Sequence, residues 1–304
     1  MAYPIEGGQM ERHGALALHD SDSVGRGALG GPLVRVSRVC VHCWRSPAAA
    51  TMAPDEAHFT GGGSFPLTRH SVLQAVRGGN AEERARALDL LFAAYWKPVY
   101  KYLRLKFNQP PQDAQDLTQG FFAELLERGL LERFDPAKSR LRTYLRLCAD
   151  SFALNEIKSA GRQKRGGHVT HLALDFAAAE GELGAQAIDP AAIPSSENLE
   201  EFFEKEWVRS LFSLAVEDLR NLCAMKKKQT AYAVFEAYDL DGNDSVSYAE
   251  LAARHGISAT ELNNLLAWAR HEFRKFALDR LHSLCSSEEE FEREARALFG
   301  WAPK

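Results

Sequence analysis

From Thr68 onward, apolar residues recur at intervals of three and four, and that period predicts helix after helix. A short first helix is expected near 71–76, stopped by Gly78 and Gly79. A second is expected over about 81–107, where Leu88, Leu91, Phe92, Tyr95, Trp96, Val99, Tyr100 and Leu103 share one side, with a kink at Pro98. Asn108 to Pro111 reads as a stop. A third helix is expected over 113–128, with Leu117, Phe121, Leu125 and Leu126 inward and Gly129 ending it. A fourth covers about 141–160. After a connector the period resumes over 199–222, 226–238, 248–255 and 259–281, and a short tail helix is expected at 288–299. Period-two alternation of the strand kind does not stand out. The expected fold is all-α, with two small helical bundles joined by an acidic linker.

The second bundle holds the most specific local pattern, YAELAARHGISATELNNLLAWAR at 248–270. Leu251 and Ala252 give a first helix its apolar side, and the small Ala252 allows close approach. Gly256 stands where the chain must turn sharply, a place for positive φ. Ser258 is an N-cap, with Glu261 three residues on as its capping-box partner. Leu262, Leu265 and Leu266 then face inward. This is the pattern of a helix-turn-helix, whose second helix enters a DNA major groove. An ordinary helical hairpin in a core is the plainer reading of the same residues.

Composition narrows the partners. The chain has 304 residues, 45% hydrophobic and 26% charged, with a formal net charge of −4. A soluble protein of two domains fits, and any nucleic-acid contact must come from local patches. One such patch is 138–165. There Lys138, Arg140, Arg142, Arg146, Lys158, Arg162, Lys164 and Arg165 stand against Asp150 and Glu156, with Tyr144 and Phe152 interleaved. Cations that follow a backbone and a ring that stacks on an unpaired base suit single-stranded DNA. A solvated charged face with both rings in the core is the alternative. No apolar run reaches membrane-spanning length, the N-terminus lacks a signal-peptide layout, and five cysteines spread thinly do not make a disulfide framework. The expected location is cytoplasmic.

The domain boundaries follow from these shifts. Residues 1–66 are expected to be a disordered extension, with Met52 an alternative translation start; 67–168 form the first helical domain and 169–198 an acidic flexible linker. Residues 199–285 form the second domain, which contains the helix-turn-helix, and 286–304 the tail helix. Packing back on the second domain, covering a DNA face, or binding a regulator are the roles open to the tail.

Two metal-like patterns carry less. Asp239, Asp241, Asn243, Val246 and Glu250 fall at EF-hand offsets, but Asp244 replaces the glycine of the turn, and Glu250 lies inside an expected helix. Cys40 and Cys43 make at most half of a zinc set. Cys148 and Cys223 occupy helical positions expected to be buried. With no nucleophile–base constellation and no phosphate-binding glycine loop, the chain reads as a non-enzyme without metal or cofactor.

Four stretches together resemble a known family. They are LFAAYWKPVYKYLRLKF, DAQDLTQGFFAELLERG, FDPAKSRLRTYLRLCADSFALNEIKSAGRQKRG and the 248–270 segment. In this order they are similar to the bacterial sigma-70 family of RNA polymerase initiation factors, in its two-domain, extracytoplasmic-function-like branch. The resemblance covers most of 68–281, and its specific parts are the blocks at 113–121 and 134–145. It implies core RNA polymerase as partner, through the β′ clamp helices and the β flap, together with promoter DNA and an anti-sigma regulator, and no membrane. It points to Asp113, Asp116, Gln119 and Phe122 for polymerase. It points to Arg140, Arg142, Tyr144, Arg146, Asn155, Lys158 and Arg162 for recognising and melting the −10 element, Tyr144 standing where the family commonly has Trp. For the −35 element it points to Ser258, Thr260, Glu261, Asn263, Asn264, Arg270 and Arg274. The first turns of that second helix carry Glu and Asn where the family has cations, which implies weak −35 affinity. A helix-turn-helix regulator acting without polymerase, and a calcium-responsive helical interaction protein, are the competing readings.

Overall fold

The computed structural model describes residues 71–160, 174–185, 196–241 and 247–300. The expectations for 1–66, Cys40, Cys43 and Arg162, and for residues 242–246 of the EF-hand-like loop, lie outside these residues. Among the described residues there are ten α-helices and no strand, as the periodicity predicts. They are α1 (Val72–Gly78), α2 (Ala81–Lys106), α3 (Pro111–Glu127), α4 (Leu141–Ala160), α5 (Phe176–Ala185), α6 (Ser196–Met225), α7 (Gln229–Phe235), α8 (Tyr248–His255), α9 (Ala259–Leu284) and α10 (Glu288–Phe299). A π-helical turn, Glu236–Leu240, continues α7.

Local chemistry explains the boundaries. Asn80 and Glu83 close a capping box at the start of α2, satisfying donors that the first turn leaves open. The helix then runs on through Pro98. Pro111 begins α3 two residues before the expected start, in a position where its missing N–H has no helical partner to lose. A second capping box, Ser247 with Glu250, opens α8. Gly256 ends α8 at φ 64°, in the left-handed region, and three residues separate α8 from α9.

Two features depart from the expected arrangement. The first is α5, a helix inside the stretch read as a flexible acidic linker. Asp175 caps it by accepting from the Ala178 N–H at 3.0 Å. Phe176, Ala179 and Leu183 fall at helical spacing and are buried, with Phe176 against Trp96 and Tyr100 at centroid distances of 5.6 and 4.9 Å. Two of the carboxylates that suggested a solvated linker, Glu180 and Glu182, face cations of α2 instead. Glu182 pairs with Lys97 at 2.7 Å and Lys101 at 2.6 Å, and Glu180 accepts from the Tyr100 hydroxyl at 2.7 Å.

The second is the core, which does not divide into two. Helix α6 has 30 residues, about 45 Å at 1.5 Å per residue, long enough to serve both halves. Phe203 packs edge-on against Tyr102 of α2 and Trp207 lies against Tyr95, while Phe212 stacks with Phe273 of α9. Most buried apolar residues therefore form one cluster from Val72 to Phe299, with a small second cluster of Tyr100, Ala114, Phe176 and Ala179 where α5 docks. Lys101 of α2 is buried in this seam and pairs with the equally buried Glu206 of α6 at 2.6 Å. The tail helix α10 joins the same core through Phe291, Ala295 and Phe299, the last edge-on to Phe212.

Candidate nucleic-acid interface

Helix α4 carries two of the arginines expected to meet DNA, Arg142 and Arg146, and it turns both inward. Arg142 is 6% exposed. Its guanidinium lies 4.6 Å from the Trp207 ring centroid, donates through Nε to Glu204, and pairs through Nη2 with Glu294 at 2.9 Å. Arg140, half exposed, reaches the same Glu294 at 3.2 Å. Arg146 is buried between Glu200, Asp150 and the Tyr102 hydroxyl. Burial works against the charge of both arginines, but Glu204 and Glu294 outweigh it at Arg142, and the Tyr102 hydroxyl, then Glu200 and Asp150, outweigh it at Arg146, so both groups hold their protons more firmly than an ordinary arginine. Tyr144 is half-buried. Its hydroxyl donates to the Leu130 carbonyl at 2.8 Å, and its ring lies 5.2 Å from that of Phe134. Burial, and after it the Cys148 thiol, pushes its phenol up to about 12.

Of the residues expected on this face, Asn155 and Lys158 are exposed. Leu147, Leu154 and Ile157 accompany them as exposed apolar side chains of the same helix. The solvent side of α4 is thus its Leu147–Lys158 side rather than its arginine side. Arg142 and Arg146 stand one turn apart, where α6 and α10 bring up Glu200, Glu204 and Glu294. Those three partners, with Trp207, are the residues that sequence reasoning missed. Only Glu294 left a trace, on the helical repeat of Phe291, Ala295, Leu298 and Phe299 in the tail.

Helix α3 separates the residues expected to meet polymerase. Asp113 and Asp116 are exposed and Gln119 is half-buried. Phe122 is fully buried, edge-on to Phe92 at 4.9 Å and 5.2 Å from the Phe121 ring, so it belongs to the core and offers no outer surface. Beside it, Gly120 lets α4 approach closely. A Cβ there would stand 2.8 Å from Cζ of Phe152.

Helices α8 and α9 are joined through Gly256 as the sequence predicts. Ala252, Leu251, Leu262 and Leu266 are buried between them and the core. Ser258 accepts from the Glu261 N–H at 3.1 Å and caps α9. Thr260, Glu261, Asn263 and Asn264 are exposed at its start, and Arg274 is half-buried. Arg270 faces the π-helical turn. Its Nε and Nη2 donate to the two oxygens of the buried Asp239, both at 2.9 Å. The same bond takes the first position of the EF-hand pattern, because Asp239 already holds the Arg270 guanidinium. Glu250 is likewise engaged as the capping partner of Ser247. No group of three His, Cys, Asp or Glu side chains is placed to hold a metal ion among the described residues.

No described helix is long and apolar enough to cross a membrane. No curated protein and no solved structure matches the chain. One family model does. Residues 91–163 match Sigma-70 region 2, a stretch that begins within α2, takes in α3 and α4, and contains the buried arginines and the exposed aspartates alike. Through that segment the chain is similar to the sigma-70 family of sigma factors.

Proposed function

We propose that the chain binds core RNA polymerase, recognises promoter −10 and −35 elements and opens the −10 region. The observation that carries this reading is the match of 91–163 to Sigma-70 region 2, which supports a role in transcription initiation without covalent chemistry. The exposed Asp113 and Asp116 along α3 suit the basic edge of a coiled coil such as the β′ clamp helices. The turn between α8 and α9, with exposed Thr260, Asn263 and Asn264 at the start of α9, suits a duplex groove, where Asn reads adenine in a bidentate way. A contact of this second half with the β flap, control by an anti-sigma factor and residence in the cytoplasm belong to the same proposal.

In this reading strand capture by α4 is an exchange. Glu204, Glu294 and Glu200 occupy Arg142 and Arg146, and single-stranded DNA binds there as its phosphates replace those carboxylates. Asn155 and Lys158 are the contacts open from the start. Transcription from a promoter library by core polymerase with and without the chain tests the proposal. A defined set of start sites that requires the chain is expected. Duplex binding with no polymerase-dependent transcript would favour the helix-turn-helix regulator instead.

A further inference from the structure

The recognition helix is short of free cations. Its first exposed residues are neutral or acidic, and Arg270 is committed to Asp239. The turn between α6 and α7 supplies what α9 lacks. Lys226, Lys227 and Lys228 are consecutive and exposed, beside the exposed Met225. The backbone there closes as a Schellman motif, with Lys227 N–H donating to Ala224 O at 3.3 Å and Lys228 N–H to Cys223 O at 2.8 Å. Such a motif wants glycine in its left-handed position. This chain puts Lys227 there, at φ 55°. A lysine held in that region is strained, and the motif alone gives no reason for it.

The position of the turn gives one. Lys228 Nζ sits 4.0 Å from the centroid of Trp268, which ties the turn to α9. Glu261, Asn264 and Trp268 follow at i, i+3 and i+7, so Trp268 lies on the same side of α9 as the exposed residues of its first turns. Around Cys223, Lys226 and Lys228 stand against Glu272, two cations to one carboxylate.

We infer that the Lys226–Lys227–Lys228 turn is a phosphate-backbone contact for duplex DNA, held beside the outer side of α9. The inference rests on the proposed duplex-binding role of that helix. It assigns the electrostatic part of binding to a neighbouring turn and leaves α9 its polar, base-reading residues. Phosphate contact carries no sequence information, so a random-sequence duplex is a sufficient probe.

The test is fluorescence anisotropy of a labelled random-sequence duplex with the full chain across a KCl series. Each phosphate neutralised contributes about 0.9 to the slope of log K against log salt. The triple variant K226A/K227A/K228A is expected to lower the slope by roughly two to three. K227G separates function from folding. It is expected to raise the melting temperature, by relieving the left-handed lysine, while lowering the slope by about one. An unchanged slope in the triple variant, or no salt-dependent binding by the wild-type chain, overturns the inference. So does a K227G chain that gains stability and keeps the full slope. In that case the lysines merely complement the negative end of α6. Polymerase-dependent transcription is a separate readout. If it is present while the slope is unmoved, only the lysine contact fails. If it is absent while the slope is lost, the polymerase reading fails and the contact stands.

Discussion

Arg142 and Glu294 meet at 2.9 Å with side chains 7% and 4% exposed, and so bind α4 of the sigma-70 region 2 segment to the C-terminal helix. Glu294 also holds Arg140, which leaves two cations on one buried carboxylate. Removing it strands Arg142 with Glu204 alone in a poorly hydrated site. Breaking a buried pair from one side costs about 3–5 kcal/mol. The surviving Glu204 contact places Glu294→Ala near the lower end of that range, about 3 kcal/mol. The measurement is the urea midpoint. In the proposed exchange the same variant is expected to bind a labelled oligo-dT several-fold more tightly than wild type, provided it remains folded by circular dichroism. Unchanged affinity would mean that Glu294 does not guard the arginines.

Gly120 offers a sharper test of packing, because two effects of known sign oppose each other there. Alanine in a helix is favoured over glycine by about 1 kcal/mol. Its Cβ, however, would stand 2.8 Å from Cζ of Phe152, whose ring is buried 6.2 Å from that of Phe121 and has little room to retreat. Overpacking of this kind costs about 1–3 kcal/mol, so the net effect of Gly120→Ala is a loss of roughly 1 kcal/mol. Adding Phe152→Leu frees the space. The two changes together are therefore expected to cost less than their separate effects summed, and a double-mutant cycle reads that coupling.

How much of this was legible in sequence depends on whether a residue's partner was near it in the chain. The apolar spacing of α2, the glycine turn at Gly256 and the cap at Ser258 are local matters, and each stands where the residues place it. Arg142 is different. It lies between Leu141 and Leu145, on the inward side of its helix, yet an arginine in a basic stretch reads as a DNA ligand until its partners are known. Those partners, Glu204 and Glu294, lie 62 and 152 positions away, and periodicity says nothing of them. Phe122 shows the reverse error, where a motif position outweighed the plain fact of a second phenylalanine beside Phe121. In α5, acidic composition hid the repeat of Phe176, Ala179 and Leu183, because the same carboxylates serve equally in a linker or on a cationic helix.

That carboxylate face of α5 makes its docking sensitive to acid. Burial pushes the Glu182 carboxyl up, but Lys101, and then Lys97, pull it down further, and it ends below the usual glutamate range. A folded value below the unfolded one gives stability that is fully present above about pH 4.3, the ordinary glutamate value, and is lost as pH falls through the folded value. The α5 amides are expected to exchange faster below about pH 4, ahead of those in the buried middle of α2. Glu182→Gln should reproduce that faster exchange at neutral pH, where wild-type α5 is protected. Equal protection in the variant would mean that Phe176 and Leu183 alone hold the helix.

Asp239 and Arg270 carry the last prediction, because two functions suggested by sequence converge on one structural bond. Asp239 is the first position of the calcium-like loop and Arg270 a candidate −35 contact, yet they bind each other through two parallel hydrogen bonds of 2.9 Å. The Asp239 side chain is 1% exposed, so losing either partner leaves a charge in a dry site. Asp239→Ala and Arg270→Ala are each expected to lower the unfolding free energy by about 3 kcal/mol. The double variant is expected to cost less than the sum, with a coupling of about 2 kcal/mol. Calcium or a chelator should leave the wild-type melting temperature where it is, since the first ligand of the loop is already taken. If Arg270→Ala keeps full stability and weakens duplex binding, the arginine serves DNA and the bond to Asp239 is incidental. If calcium raises the melting temperature, Asp239 exchanges its arginine for the metal, and the loop is a switch on the position of α9.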